Sequence, residues 1–427
     1  MLLIEIIQAF FVLLQLYLSL YRNIPMIKIK KIEIINYRSC FDTTIDVQEN
    51  LTTLIGINGV GKSNILNSLQ LLKRTNRNRF FHQPAIQESL KHSTLKLDLL
   101  IDEILVVIKA DIYFETNENN IDEIYNADIR FRKSNDIEKK WCTIDVDLFG
   151  YVERMKFLKK AIADKKIQDE YLTSEEGQTA IKIVGFLSGI SYYSATQFAD
   201  PTRCPVSIEY DDVNRLGSIR NKDTHTKFIT DSYSLFKNDK KAFSRFLNTV
   251  NQEGIGLIDD FSFFEHSLSS NSYHVKLVSS INKIEKNKNI IIPSVIVDGT
   301  TLAPNQLSEG TFKSLALIFY ILTDSNDLLL IEEPEVCVHH GLLSSIIELF
   351  KIQSKEKQII ISTHSDFVLD KLQPENIVLV NKSVEKGTKA KPLSKALSAH
   401  DYLALKKYLQ TSGNLGEYWK EGGFEND

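Results

Sequence analysis

Apolar and charged residues alternate over 26–34 (Met-Ile-Lys-Ile-Lys-Lys-Ile-Glu-Ile), the period of a strand with one buried face. Asn36 to Ser39 turns the chain, and 51–55 reads as a short buried strand. A glycine-rich turn at 56–61 follows, after which Leu66, Leu69 and Leu72 recur at helical spacing. Residues 94–114 and 127–147 alternate again around the polar segment 115–126, which predicts an antiparallel sheet. Helical patterns over 153–166, 173–187 and 239–250 make the middle of the chain a mixed, largely helical insertion. It carries no sustained heptads, which excludes a very long coiled-coil arm.

Residues 189–194 form another candidate strand, ending in Ala195-Thr196-Gln197. From about residue 273 the chain returns to strand, turns at Asp298-Gly299 and enters an apolar helix over 307–322, opened by Ser308. The runs 328–331 and 358–362 are continuously apolar and suit central strands of a largely parallel sheet, buried on both faces. One more strand at 376–380, a lysine-rich loop and a terminal helix complete the pattern. The fold class expected is α/β, a mixed sheet with helices and a β-rich antiparallel subdomain. Its expected divisions are an apolar leader (1–25), the first part of a head (26–150), an insertion (151–270) and the second part of the head (271–427).

Composition narrows the class without naming it. With 427 residues, 43% hydrophobic and 25% charged, the chain exceeds one ordinary core and has the balance of a globular protein. Fifty-one basic against 55 acidic side chains leave a formal charge of -4, so any nucleic-acid surface must be a local patch. Lys73, Arg74, Arg77 and Arg79 form the densest basic cluster, which reads either as phosphate-binding or as a solvated helix end. Cys40, Cys142, Cys204 and Cys337 lie far apart, which argues against a zinc site or a disulfide framework and for a cytoplasmic setting. Residues 1–21 are almost wholly apolar and precede Arg22, Lys28, Lys30 and Lys31. They read either as an extraneous or simply packed leader or as a membrane anchor; otherwise no membrane association is expected.

Gly56-Ile57-Asn58-Gly59-Val60-Gly61-Lys62-Ser63 fits G-x-x-x-x-G-K-[ST] between a strand and a helix. Asn58, Gly59, Val60 and Gly61 would curl their amides around phosphate, with Asn64 next in the helix. Lys62 would reach the β- and γ-phosphates of ATP, and Ser63 would ligate Mg2+. Downstream, 328–331 runs into Glu332 and Glu333: one carboxylate for the metal shell, the next to activate water.

With Leu307-Ser308-Glu309-Gly310-Thr311 ahead of that acidic strand, the chain resembles the ABC-type P-loop ATPases, in the L-S-x-G-T form of the SMC, RecF and OLD-like branch. The resemblance covers 27–75 and 300–380. It implies that Ser308 and Gly310 bind the γ-phosphate held by a second copy, so that a homodimer or higher homo-oligomer encloses ATP. Ser362-Thr363-His364-Ser365 is similar to the segment of the family's switch histidine, which implies that His364 senses the γ-phosphate. Arg38, in a segment similar to the family's N-F-R-S, would touch nucleotide; a plain surface arginine is the other reading. Gln197 is identified with the glutamine that couples magnesium to the insertion, with Gln83 as the alternative. Glu332 stands where aspartate is commoner, and Val338 and His340 replace the leucine and proline of the family's dimer-contact segment.

Three functions follow from the resemblance. The first is a switch acting on DNA or a separate effector, a nuclease or toxin, in anti-phage defence. The second is a RecF- or SMC-like DNA repair clamp, and the third a transporter's ATPase subunit. His364 is followed by only 63 residues, with no D-x-D pair, so any nuclease is expected on another polypeptide.

Overall fold

A computed structural model describes residues 26–75, 92–116, 122–134, 140–144, 174–209, 223–276, 280–411 and 413–424. The apolar leader, the 153–166 pattern, Gln83, Arg77 and Arg79 lie outside them. The chain divides into two compact units: residues up to Tyr192, Asn326–Glu332 and from Lys351 onward form the first, and Tyr193–Ser325 with Glu333–Phe350 the second. No helix among the described residues is long and apolar enough to cross a membrane.

In chain order, the first unit begins with strands β1 (Lys28–Tyr37), β2 (Cys40–Asp46) and β3 (Leu51–Ile55) and helix α1 (Lys62–Arg74). Strands β4 (His92–Ile101), β5 (Ile104–Thr116), β6 (Asp122–Lys133) and β7 (Cys142–Thr143) follow, then α2 (Glu175–Gly189) and β8 (Ser191–Ser194). An antiparallel sheet runs in the order β2-β1-β4-β5-β6-β7, as the alternation predicts. Asp102 and Glu103, at φ of 50° and 66°, make the tight turn between β4 and β5.

The second unit holds β9 (Ile208–Glu209), α3 (Thr224–Asn238), α4 (Lys240–Val250), β10 (Asp260–Lys276), β11 (Ser280–Val297), β12 (Thr300–Leu302) and α5 (Glu309–Thr323). Strands β10 and β11 pair from Asp260 with Ile296 to Lys276 with Ser280. Strand therefore returns at 260, not 273, and the expected boundary at 270 falls inside β10. In its early part the buried Phe261 and Phe263 alternate with Ser262 and the half-exposed Phe264. Phe228, Phe246, Phe261, Phe312 and Phe319 form an aromatic core in which Phe228 meets Phe312 and Phe319 edge-on at 5.6 and 5.5 Å. Such a core encloses α5 nearly all round, and its Lys313 stays buried by pairing with Glu309 at 2.7 Å.

The chain re-enters the first unit as β13 (Leu328–Glu332), returns there at the end of α6 (His340–Gln353), and continues as β14 (Gln358–Thr363), the short α7 (Asp366–Leu369), β15 (Ile377–Ser383) and β16 (Gly387–Pro392). The central sheet runs β16-β15-β3-β14-β13-β8; β15, β3, β14 and β13 are parallel. Adjacent residues serve opposite faces. Leu54, Val378 and Val380 join α1 and the antiparallel sheet in one core, while Ile55, Ile377 and Leu379 pack with Leu405, Leu415 and Phe424 of the C-terminal segment. The expected lysine-rich loop is instead strand β16, because Thr388 and Ala390 turn inward between the more exposed Lys389 and Lys391.

Candidate nucleotide site

Ile55, the last residue of β3, pairs with Thr363 of β14, and Ser362 pairs with Glu332 at the end of β13. The glycine loop, His364 and the acidic strand end therefore leave the sheet side by side, at the carboxyl edge where open α/β sheets take ligands.

In the loop, Gly59 and Gly61 have φ of 83° and 105°, a region that favours glycine. Nothing lies within 4 Å of where a Cβ on Gly59 would stand, whereas one on Gly61 would sit 2.2 Å from Thr388 Oγ1. The first glycine thus faces open space and the second is pinned against the protein. Lys62 opens α1, is 5% exposed, and donates from Nζ to the carbonyls of Gly56 and Ile57 at 2.6 and 3.1 Å. No side chain caps the start of α1 and no acid lies in its first turn, so its amides and dipole favour an anion.

Arg38, at φ 53° in the turn between β1 and β2, donates to Asn64 Oδ1 at 3.0 Å. The arginine is therefore held beside the loop helix. Glu332 accepts a hydrogen bond on Oε2 from the Tyr192 hydroxyl of β8. Ser362 Oγ, buried beside it, has no hydrogen-bond partner among the described residues, as befits a polar group facing ligand or water. No group of three or more His, Cys, Asp or Glu placed to hold a metal ion occurs among the described residues. A magnesium ion here would combine Ser63 and Glu332 with phosphate oxygens and water, the hard-oxygen set this ion favours. His364 is exposed at the strand end, and Ser365 caps α7 by accepting from Val368 N at 3.4 Å.

Gln197, Ser308, Gly310 and Glu333 belong to the second unit. Gln197 lies in the turn Ala195–Phe198 directly after β8, and its carbonyl accepts from Thr224 Oγ1 at 2.6 Å. Ser308 caps α5, its Oγ accepting from Thr311 N at 3.1 Å. A Cβ on Gly310 would lie 2.6 Å from the Cys337 carbonyl, so that position admits only glycine without a backbone shift. Glu333 has φ 47°, a conformation costly for a residue with a side chain, of the kind that concentrates at functional sites.

Lys73 of the basic cluster donates to the Ile190 carbonyl at 2.6 Å and so serves packing within the first unit. Burial pushes the Cys40 thiol up and that of Cys204 to about 12, which keeps both protonated and unreactive. Tyr192 and Thr388 lie at the site without any signal in the sequence pattern, Thr388 in what reads as a lysine-rich loop; Ser39 ends the segment similar to N-F-R-S.

No curated protein sequence matches the chain. Among solved structures it is similar to an SMC head bound to the C-winged-helix domain of ScpA, at 14% identity and TM-score 0.50, over 88% of this chain and 99% of that one. That likeness shows the fold, the mixed α/β fold of an SMC head. Others are the SMC head of Thermotoga maritima (13% identity, TM-score 0.41, 86% and 98%) and the Smc head with extended coiled coil, bound to the ScpA C-terminal domain, from Pyrococcus furiosus (15%, 0.42, 90% and 100%). A family model matches residues 51–370, from the first residue of β3 to just past α7. Since that span is well over half its length, the chain belongs to the family described as "AAA domain, putative AbiEii toxin, Type IV TA system".

Proposed function

We propose that the chain is a magnesium-dependent ATPase that closes around ATP as a homodimer or higher homo-oligomer. It acts as a switch on DNA or on a separate effector protein, a nuclease or toxin, in anti-phage defence, like the RecF/OLD-like branch. The observation that carries this reading is the sheet edge, where the glycine loop, buried Lys62, Glu332 and His364 leave adjacent parallel strands.

In this reading Asn58 to Gly61 cradle the phosphates, Lys62 binds the β- and γ-phosphates, and Ser63 and Glu332 hold magnesium, which offsets charge on the phosphate oxygens. Glu333 takes a proton from water whose oxygen bonds to the γ-phosphorus; the bond to the bridging oxygen breaks and ADP leaves. His364 senses the γ-phosphate, Gln197 couples the metal to the insertion, and Ser308 and Gly310 offer amides to the nucleotide of a second copy. The family's description in terms of a toxin supports a partner-directed role. The SMC head bound to ScpA is a precedent for a head of this fold holding another protein.

Light scattering of the purified 48.8-kDa chain tests the switch: magnesium-ATP is expected to double its mass, and added duplex DNA then separates a DNA clamp from an effector platform. A mass that stays monomeric at saturating ATP would sink the two-head reading.

Tyr192→Phe removes the donor that holds Glu332. The magnesium concentration for half-maximal ATP turnover is expected to rise about tenfold. A magnesium titration at fixed ATP checks this, and an unchanged midpoint would leave the hydroxyl without a role in the metal site.

A further inference from the structure

A directed chain of hydrogen bonds ends on the glycine loop. Arg38 can only donate, so the Asn64 atom facing its Nη1 at 3.0 Å is Oδ1, and Asn64 Nδ2 then donates to Ser39 Oγ at 2.7 Å. Ser39 Oγ and Thr388 Oγ1 are 2.8 Å apart. Thr388 Oγ1 also lies 2.7 Å from the Val60 carbonyl, which can only accept. The threonine proton therefore goes to Val60, and Ser39 must donate to Thr388. The direction is fixed throughout: a permanent cation at one end, a loop carbonyl at the other.

Thr388 is fully buried, and its backbone is also engaged: its N–H donates to the Ser39 carbonyl at 2.7 Å and its carbonyl accepts from Thr43 Oγ1 at 2.6 Å. Both Ser39 and Thr388 fall outside the span shared with the family, residues 51–370. The carbonyl they reach belongs to the Val60–Gly61 peptide, whose N–H is one of the loop's phosphate donors in the proposed function. A carbonyl that accepts from a chain headed by a cation polarises its peptide and strengthens the N–H on the other side.

We propose that Ser39 and Thr388 are positioning residues that carry the charge of Arg38, through Asn64, to the Val60–Gly61 peptide and set it as a phosphate donor. This rests on the nucleotide reading of the loop. It gives Arg38 a role at the site that needs no direct contact with nucleotide.

The test is a titration with a fluorescent ATP analogue alongside thermal melting. Thr388→Val leaves the Val60 carbonyl buried without its donor, and affinity is expected to fall about tenfold. Thr388→Ser keeps the hydroxyl and is expected to bind within about twofold of wild type. Ser39→Ala should weaken binding about three- to tenfold, and adding it to Thr388→Val should cost at most about twofold more, because Ser39 acts through Thr388. Thr388→Val that melts lower yet binds as wild type overturns the proposal, as do losses that simply multiply in the double variant. If Thr388→Val does not fold, Ser39→Ala decides: weaker binding at an unchanged melting temperature supports the relay, and wild-type binding overturns it. A wild-type chain that binds no analogue overturns both this inference and the nucleotide reading beneath it.

Discussion

Glu333→Gln is expected to lower the rate constant of ATP hydrolysis about 100-fold or more, while ATP affinity stays within about threefold. The amide keeps the size and reach of the carboxylate and can adopt the same φ of 47°, so the local backbone is preserved. What it loses is the ability to take a proton from water. An interaction made only as the bond breaks should appear in the rate and not in binding. Single-turnover hydrolysis with a separate binding titration distinguishes the two; normal turnover would remove Glu333 from the chemistry. Glu332, held by Tyr192, is expected to differ in kind, since losing its charge should raise the magnesium requirement first.

The largest effect on stability is expected at Gln358, the first residue of β14, whose side chain is fully buried. Its Oε1 accepts from Ile29 N at 2.8 Å, and its Nε2 donates to the carbonyls of Ile29 and Gln48 at 2.8 and 2.7 Å. One amide thus satisfies three backbone groups, and joins β1 of the antiparallel sheet to the central one. Gln358→Leu fills the same space but leaves all three groups without partners, at about 1–3 kcal/mol each. A loss of about 3–6 kcal/mol, or roughly 10 °C in melting temperature, is expected by circular dichroism. A shift under about 3 °C would mean that water or a backbone shift replaces the amide.

Where the chain speaks in periods or fixed spacings, the sequence is a good guide. Leu328 to Ile331 and Ile359 to Ile361 are apolar on both faces because they are central, and they pair in parallel. Gly61-Lys62-Ser63 keeps its meaning because only a strand, a tight turn and a helix start can use those residues together. Single polar side chains that act across long separations leave no such trace. Gln358 resembles any strand residue, Tyr192 any half-buried tyrosine, and Thr388 is hidden among lysines because a period of two carried by Thr and Ala is nearly silent. The 260–272 segment is obscure for a related reason: Phe261 and Phe263 bury themselves in an aromatic core drawn from three helices, α3, α4 and α5, which only the assembled fold supplies.

The placement of β3 has a consequence for how the protein is made. Leu51 to Ile55 pairs with residues 359–363 on one side and 377–379 on the other, so its neighbours are synthesised some 300 residues later. At about 5–20 residues per second, this five-residue strand waits on the order of 15–60 s on the ribosome with both edges open. The long hairpin of β10 and β11 joins residues close in sequence and can zip as it emerges. Chaperone dependence should therefore fall on the glycine-loop half of the chain, and a ribosome stalled before β14 would present it with an incomplete sheet and an exposed apolar strand.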